Sequence, residues 1–129
     1  MSFILIPNHG GGLQVNAWNW RPTISLLLRA NLIDDRQHEL MRCSGCGGAV
    51  NSQMATKIAE FLDQQLAGMN PGQRIRGDLK VTEEPKKRAV FTPATKVEDI
   101  DAAEVYSAAY EWLVAFRDFC RTCAGFRVS

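Results

Sequence analysis

Asn51-Ser-Gln-Met-Ala-Thr-Lys-Ile-Ala-Glu-Phe-Leu-Asp-Gln-Gln-Leu-Ala-Gly-Met69 places Met54, Ile58, Phe61, Leu62, Leu66 and Met69 at intervals of three and four. Residues so spaced share one face of a helix while the intervening ones turn to solvent, so the segment reads as an amphipathic helix. Asn51 or Ser52 supplies the N-cap oxygen, and Asn70-Pro71-Gly72 ends the helix with residues that cannot continue it. A second long stripe runs near the C-terminus. Val105, Ala109, Trp112, Leu113, Phe116, Cys120 and Cys123 fall on one side of a helix that Asp101 and Glu104 open as a capping box and Gly125 closes. Each stripe buries about six large side chains at ~1.5 to 3 kcal/mol apiece, more than caps or surface ion pairs contribute. Packing of the third helix on the fourth is therefore the expected chief source of stability.

Toward the N-terminus, Pro22 suits the first position of a helix, where its missing N–H costs nothing. Ile24, Leu27, Leu28 and Leu32 then form a buried face ending near Asn31. Asp34 and Gln37 make a second capping box, opening a shorter helix with Leu40 and Met41 inward that stops at the Cys43 to Gly48 loop. Phe3 to Ile6 and Leu13 to Trp18 read as short strands flanking Gly10-Gly11-Gly12. From Gln73 to Lys96 the periodicity fades. Leu79 to Thr82 and Ala89 to Thr92 suggest a hairpin around the run Glu83-Glu84-Pro85-Lys86-Lys87-Arg88, whose signs nearly cancel and which reads as a solvated loop. The expected fold is mainly α (α+β): one compact domain over residues 1–129, with four helices and a minor antiparallel β-hairpin component.

A formal net charge of +1 creates no field to draw in DNA, RNA or an anionic membrane, so polyanion partners are set aside. Phe3 to Ile6 is too short for a signal-peptide core, and no apolar run approaches the ~20 residues of a spanning helix. The expected location is the cytoplasm, where thiols stay reduced and paired cysteines serve more often as metal ligands or redox groups than as structural disulfides.

All four cysteines lie in two Cys-x-x-Cys pairs, Cys43-Ser-Gly-Cys46 and Cys120-Arg-Thr-Cys123. The leading expectation is a structural zinc site of Cys43, Cys46, Cys120 and Cys123, because zinc takes four thiolates in a tetrahedron at about 2.3 Å. One pair from a glycine-containing turn and one from a helix end would meet that geometry. Two alternatives stand beside it. Cysteines that continue an apolar stripe can be small buried hydrophobes, and either pair could be a redox dithiol. Redox chemistry prefers a cysteine at a helix N-terminus; Cys120 and Cys123 sit at the other end, and Cys43 precedes its helix by several residues.

Other signals exclude more than they assign. His9-Gly10-Gly11-Gly12 has the look of an oxyanion-hole loop, but no Gly-x-Ser-x-Gly elbow follows. His38-Glu39 lacks the second histidine four residues on that a zinc protease requires, and Gly45, Gly47 and Gly48 lack the spacing of a dinucleotide loop. Trp18-Asn-Trp20-Arg21-Pro22 concentrates two rings and a guanidinium. Either Trp18, Trp20 and Arg21 anchor a protein partner, or the rings cover the core with Arg21 stacked on one of them.

Three patches carry a resemblance: the Trp18-x-Trp20-Arg21-Pro22 string, the glycine-rich turn before the Ala-rich helix at Gly47 to Ala59, and the closing Phe119-Cys120-Arg121-x-Cys123-x-Gly125-Phe126. Together they resemble a family of small bacterial proteins with Trp-Arg-Pro near the start and a Phe-Cys-Arg-x-Ser-Gly-Gly-Phe-like ending. That pattern often has no cysteine where Cys43, Cys46 and Cys123 stand here, so a metal site would belong to this branch and not to the fold. The resemblance implies no activity. The functional expectation is a non-enzymatic cytoplasmic interaction module stiffened by zinc; the alternative is a small thiol-dependent redox enzyme, or a domain with simply buried cysteines.

Overall fold

A computed structural model describes residues 2–77, 79–82 and 107–129. Its elements run β1 (Ser2–Pro7), β2 (Leu13–Asn16), α1 (Ala17–Arg29), α2 (Asp35–Met41), β3 (Ala49–Asn51) and α3 (Ser52–Ala67). The order continues with β4 (Arg74–Arg76), β5 (Val81–Thr82), β6 (Ser107–Ala109), α4 (Tyr110–Thr122) and β7 (Gly125–Val128). The chain is mainly helical, with four helices among the described residues and two small antiparallel sheets.

The helices form where local chemistry and periodicity agree. Asn51 accepts a hydrogen bond from the Met54 amide to open α3, and its inner face buries Ala55, Ile58, Ala59, Leu62 and Leu66. Asp34 and Gln37 complete the capping box of α2 reciprocally. The α3–α4 pairing is the most extensive element contact among the described residues. α4 contributes Trp112, Leu113, Phe116 and Cys120 to the core.

One face of the larger sheet, ordered β2-β1-β7-β3, closes the core from the side opposite solvent. Phe3 pairs with Val15, Leu5 with Val128, and Val50 with Phe126, and all six side chains are buried. The alternate residues Ile4, Gln14, Ala49 and Arg127 face outward, as a period of two requires. The smaller sheet, ordered β5-β4-β6, buries Ile75 opposite Ala108. Between these layers lies an aromatic cluster. Trp20 meets Trp112 and Phe116 edge-on, Trp112 stacks on Phe116 at 5.4 Å, and Phe126 closes on Phe116 at 5.9 Å.

Several expectations are corrected. α1 begins at Ala17, capped by the Asn16 side chain on the Asn19 amide, so Pro22 lies inside the helix and not at its start. Asn16 is both the last residue of β2 and the cap, and Ala17 and Trp18, expected in the strand, belong to the helix. The final helix starts at Tyr110, because residues 107–109 pair with β4 and Tyr110 N–H donates to the Gln73 carbonyl. Val81–Thr82 pairs with Arg74–Ile75, a partner that the sequence reading missed. After α4 the chain reverses through Ala124 and Gly125, both at positive φ, and enters β7, which was also missed. A Cβ at Gly125 would stand 2.9 Å from the Val50 carbonyl and from Asn8 Nδ2, so only glycine fits this crossing. The expected strand at Ala89 to Thr92 and the capping box of Asp101 and Glu104 lie outside the described residues.

Candidate functional site

The loop that follows α2 holds the two exposed cysteines, Cys43 and Cys46. Helix α2 reaches Met41, Arg42 caps it by donating its N–H to the His38 carbonyl, and Cys43 to Gly47 then run exposed. Cys43 and Cys46 form a disulfide across a Cα separation of 5.4 Å. Both ends of this loop are held. On the near side Trp20 Nε1 donates to the Met41 carbonyl at 2.8 Å inside the core. On the far side the Gly48 carbonyl accepts from Val128 N at 2.8 Å. Gly48 packs so closely on the end of α2 that a Cβ would meet Met41 Cγ at 2.6 Å and Met41 N at 2.9 Å. The disulfide therefore sits on a short, exposed loop with fixed bases.

Its electrostatic setting is mixed and can be apportioned. The carboxyl end of a helix carries partial negative charge, which works against a thiolate at Cys43. Trp20 Nε1 occupies the last α2 carbonyl and so offsets part of that charge. Arg42 adjoins Cys43 in sequence, and Arg21 of α1 lines the same cleft with Glu39, Arg42, Cys43 and Ser44. Arg42 Nη1 lies 3.4 Å from Glu39 Oε1, an exposed pair. Arg21 has no side-chain partner among the described residues, and its Nε is buried without a hydrogen bond. His38, one turn before Arg42, is held below the ordinary histidine range by burial first and by the Arg42 charge second.

The second cysteine pair has the opposite character. Cys120 and Cys123 are free thiols, 2% and 1% exposed, on the inner side of α4 and its cap. Burial pushes both thiols up, with the neighbouring Cys123 adding to the effect at Cys120. The Cys123 thiol donates to the Cys120 carbonyl at 3.8 Å. These sulfurs stay protonated at neutral pH and act as small core side chains.

The expected zinc site of Cys43, Cys46, Cys120 and Cys123 is thereby overturned. No group of three or more His, Cys, Asp or Glu among the described residues could hold a metal ion. One pair has spent its thiols on a disulfide, and the other is buried and protonated. The expectation of zinc as cofactor, and of a metal-stiffened module, falls with it. Of the three residues expected to bind a partner, Trp20 is fully buried, Trp18 is partly exposed and Arg21 faces the disulfide cleft. The two tryptophans do not share a face, because residues two apart on a helix point to nearly opposite sides. Arg42 was not singled out from the sequence, although a basic residue adjoining a Cys-x-x-Cys pair was a usable signal. No helix among the described residues is long and apolar enough to cross a membrane.

The sequence matches no protein-family model, and neither curated proteins nor solved structures show significant similarity to it. The geometry of the loop is thus what bears on function.

Proposed function

We propose that this chain is a small thiol–disulfide exchange protein whose Cys43–Cys46 pair cycles between disulfide and dithiol. The observation that carries the reading is an exposed Cys-x-x-Cys disulfide whose Cys43 shares a cleft with Arg21 and Arg42, in a chain whose other thiols are sequestered. Exchange requires a disulfide that an incoming thiolate can reach and a leaving sulfur whose negative charge is stabilised. Exposure of the loop meets the first requirement, and Arg21, on the cleft that Cys43 lines, contributes to the second whenever Cys43 is the leaving sulfur. The two-residue spacer keeps the partner sulfur close after one bond opens, so a mixed disulfide resolves within the loop. Burial of Cys120 and Cys123 confines the chemistry to a single pair.

The test is equilibration in graded ratios of reduced and oxidised glutathione, followed by rapid alkylation and mass spectrometry of cysteine-containing peptides. Cys43 and Cys46 are expected to convert together, two electrons at a time, at a potential within the span of about −270 to −120 mV occupied by thiol–disulfide oxidoreductases. Cys120 and Cys123 are expected to remain unmodified unless the protein is denatured. A Cys43–Cys46 pair that stays oxidised throughout, or that never forms a disulfide, would end the exchange reading.

A further inference from the structure

The cleft beside the disulfide has the composition of a binding site for one class of reductant. It measures about 390 Å³ and is lined by Arg21, Glu39, Arg42, Cys43 and Ser44. That volume lies in the range of about 300 to 1,000 Å³ typical of small-molecule sites. Glu39 lies against Arg42 at 3.4 Å, so the two charges largely offset one another, and Arg21 is left as the cation of the cleft without an ion pair among the described residues. Its Nε is already out of water and unpaired. A carboxylate entering the cleft can pair with the same guanidinium through charge-assisted hydrogen bonds to its Nη groups. The sulfur that shares the cleft is Cys43.

We infer that this cleft binds a low-molecular-weight thiol bearing a carboxylate, seating the acid on Arg21 and presenting its sulfur to Cys43. The inference rests on the exchange reading and names its small-molecule partner. In the forward direction the ligand thiolate attacks Cys43 Sγ, a new S–S bond forms to the ligand, and the Cys43–Cys46 bond breaks with its electron pair leaving on Cys46 as thiolate. A second ligand thiolate attacks the ligand sulfur of that mixed disulfide and releases Cys43 as thiolate. Two ligand thiols are thereby oxidised to one disulfide, the protein pair is reduced by two electrons, and the two thiol protons pass to Cys43, Cys46 or solvent. The reverse sequence oxidises the protein at the expense of the ligand disulfide. Ser44, exposed at the rim, offers a hydroxyl to the rest of the ligand.

The experiment measures reduction of the intact protein by three monothiols of similar size: 3-mercaptopropionate, 2-mercaptoethanol and cysteamine. Rates are expressed per thiolate to remove differences in thiol acidity. The carboxylate thiol is expected to react about ten-fold faster than the cationic one, the scale of one charge-assisted hydrogen bond, with a rate that saturates in thiol concentration. Arg21→Gln should collapse that ratio toward one, and Arg21→Lys should restore part of it. Raising salt from 0.05 to 1 M should erode the preference in the unaltered protein, which keeps the test independent of how the variants fold. Equal per-thiolate rates for all three reagents would overturn the assignment of this cleft while leaving exchange itself intact. Failure of every reagent to open the disulfide would remove the exchange reading as well.

Discussion

At the scale of single residues, Trp20 does two jobs that its position in the sequence did not separate. Its ring fills the space between Phe3, Trp112 and Phe116, and its N–H holds the carbonyl one residue before Arg42. Trp20→Phe keeps an aromatic ring but leaves the Met41 carbonyl without its buried donor. It should lower stability by about 1 to 3 kcal/mol, read as a shift in the urea midpoint. A midpoint within error of the parent would show that this bond contributes nothing net. Cys120 yields a prediction of a different kind. Because its folded pKa is raised by burial, the folded chain retains a proton that the unfolded chain loses, so stability is unaffected below the unfolded thiol pKa near 8.5 and falls as pH rises beyond it. Melting temperatures of the parent and Cys120→Ala, compared from pH 7.5 to 10, should therefore draw together, and a constant gap would refute the linkage. The spacing of the cysteines was plain in the sequence, but what they do was not. Cys-x-x-Cys suits a metal clip and a disulfide equally, and the choice depends on whether Cys120 and Cys123 meet the other pair, which is a matter of chain path and not of local pattern.

At the scale of elements, the helices were legible wherever their periodicity and caps lay within one short window. α2 and α3 carry the evident signals of Asp34, Gln37 and Asn51, and each is found making the expected hydrogen bond. Asn51→Ala should cost about 0.5 to 2 kcal/mol through the lost cap on α3, measured by thermal unfolding. A smaller loss would mean that water replaces the side-chain acceptor at no expense. The strands were less readable. β3, β4 and β6 span three residues each, too few to display an alternation, and they form because partners distant in sequence satisfy their amides and carbonyls. α4 illustrates the same limit at its start. Ala109 offers no capping side chain, and the order comes from the Gln73 carbonyl and from Asn19 Oδ1, which accepts the Ala109 N–H.

At the scale of the whole molecule, the mainly helical class with α3 packed on α4 was readable, whereas the two sheets that frame it were only partly so. The exposed sulfur and the buried sulfur also define two chemical environments within one small chain. The candidate site draws on α1 for Arg21, on α2 for Glu39 and on the loop after it for Cys43, so no single segment contains it. β7 is the strand that joins the sheet's parts, standing between β1 and β3 and bonded to both. Its residues 125–128 are translated more than a hundred positions after β1 begins, so the first strand waits for all the intervening chain before its inner neighbour exists. Until β7 is made, the β1–β2 hairpin presents an unfilled edge, and closure of this sheet follows synthesis of helices α1 to α4. The disulfide loop, anchored at Gly48 by the same strand through Val128, acquires its final footing at that moment.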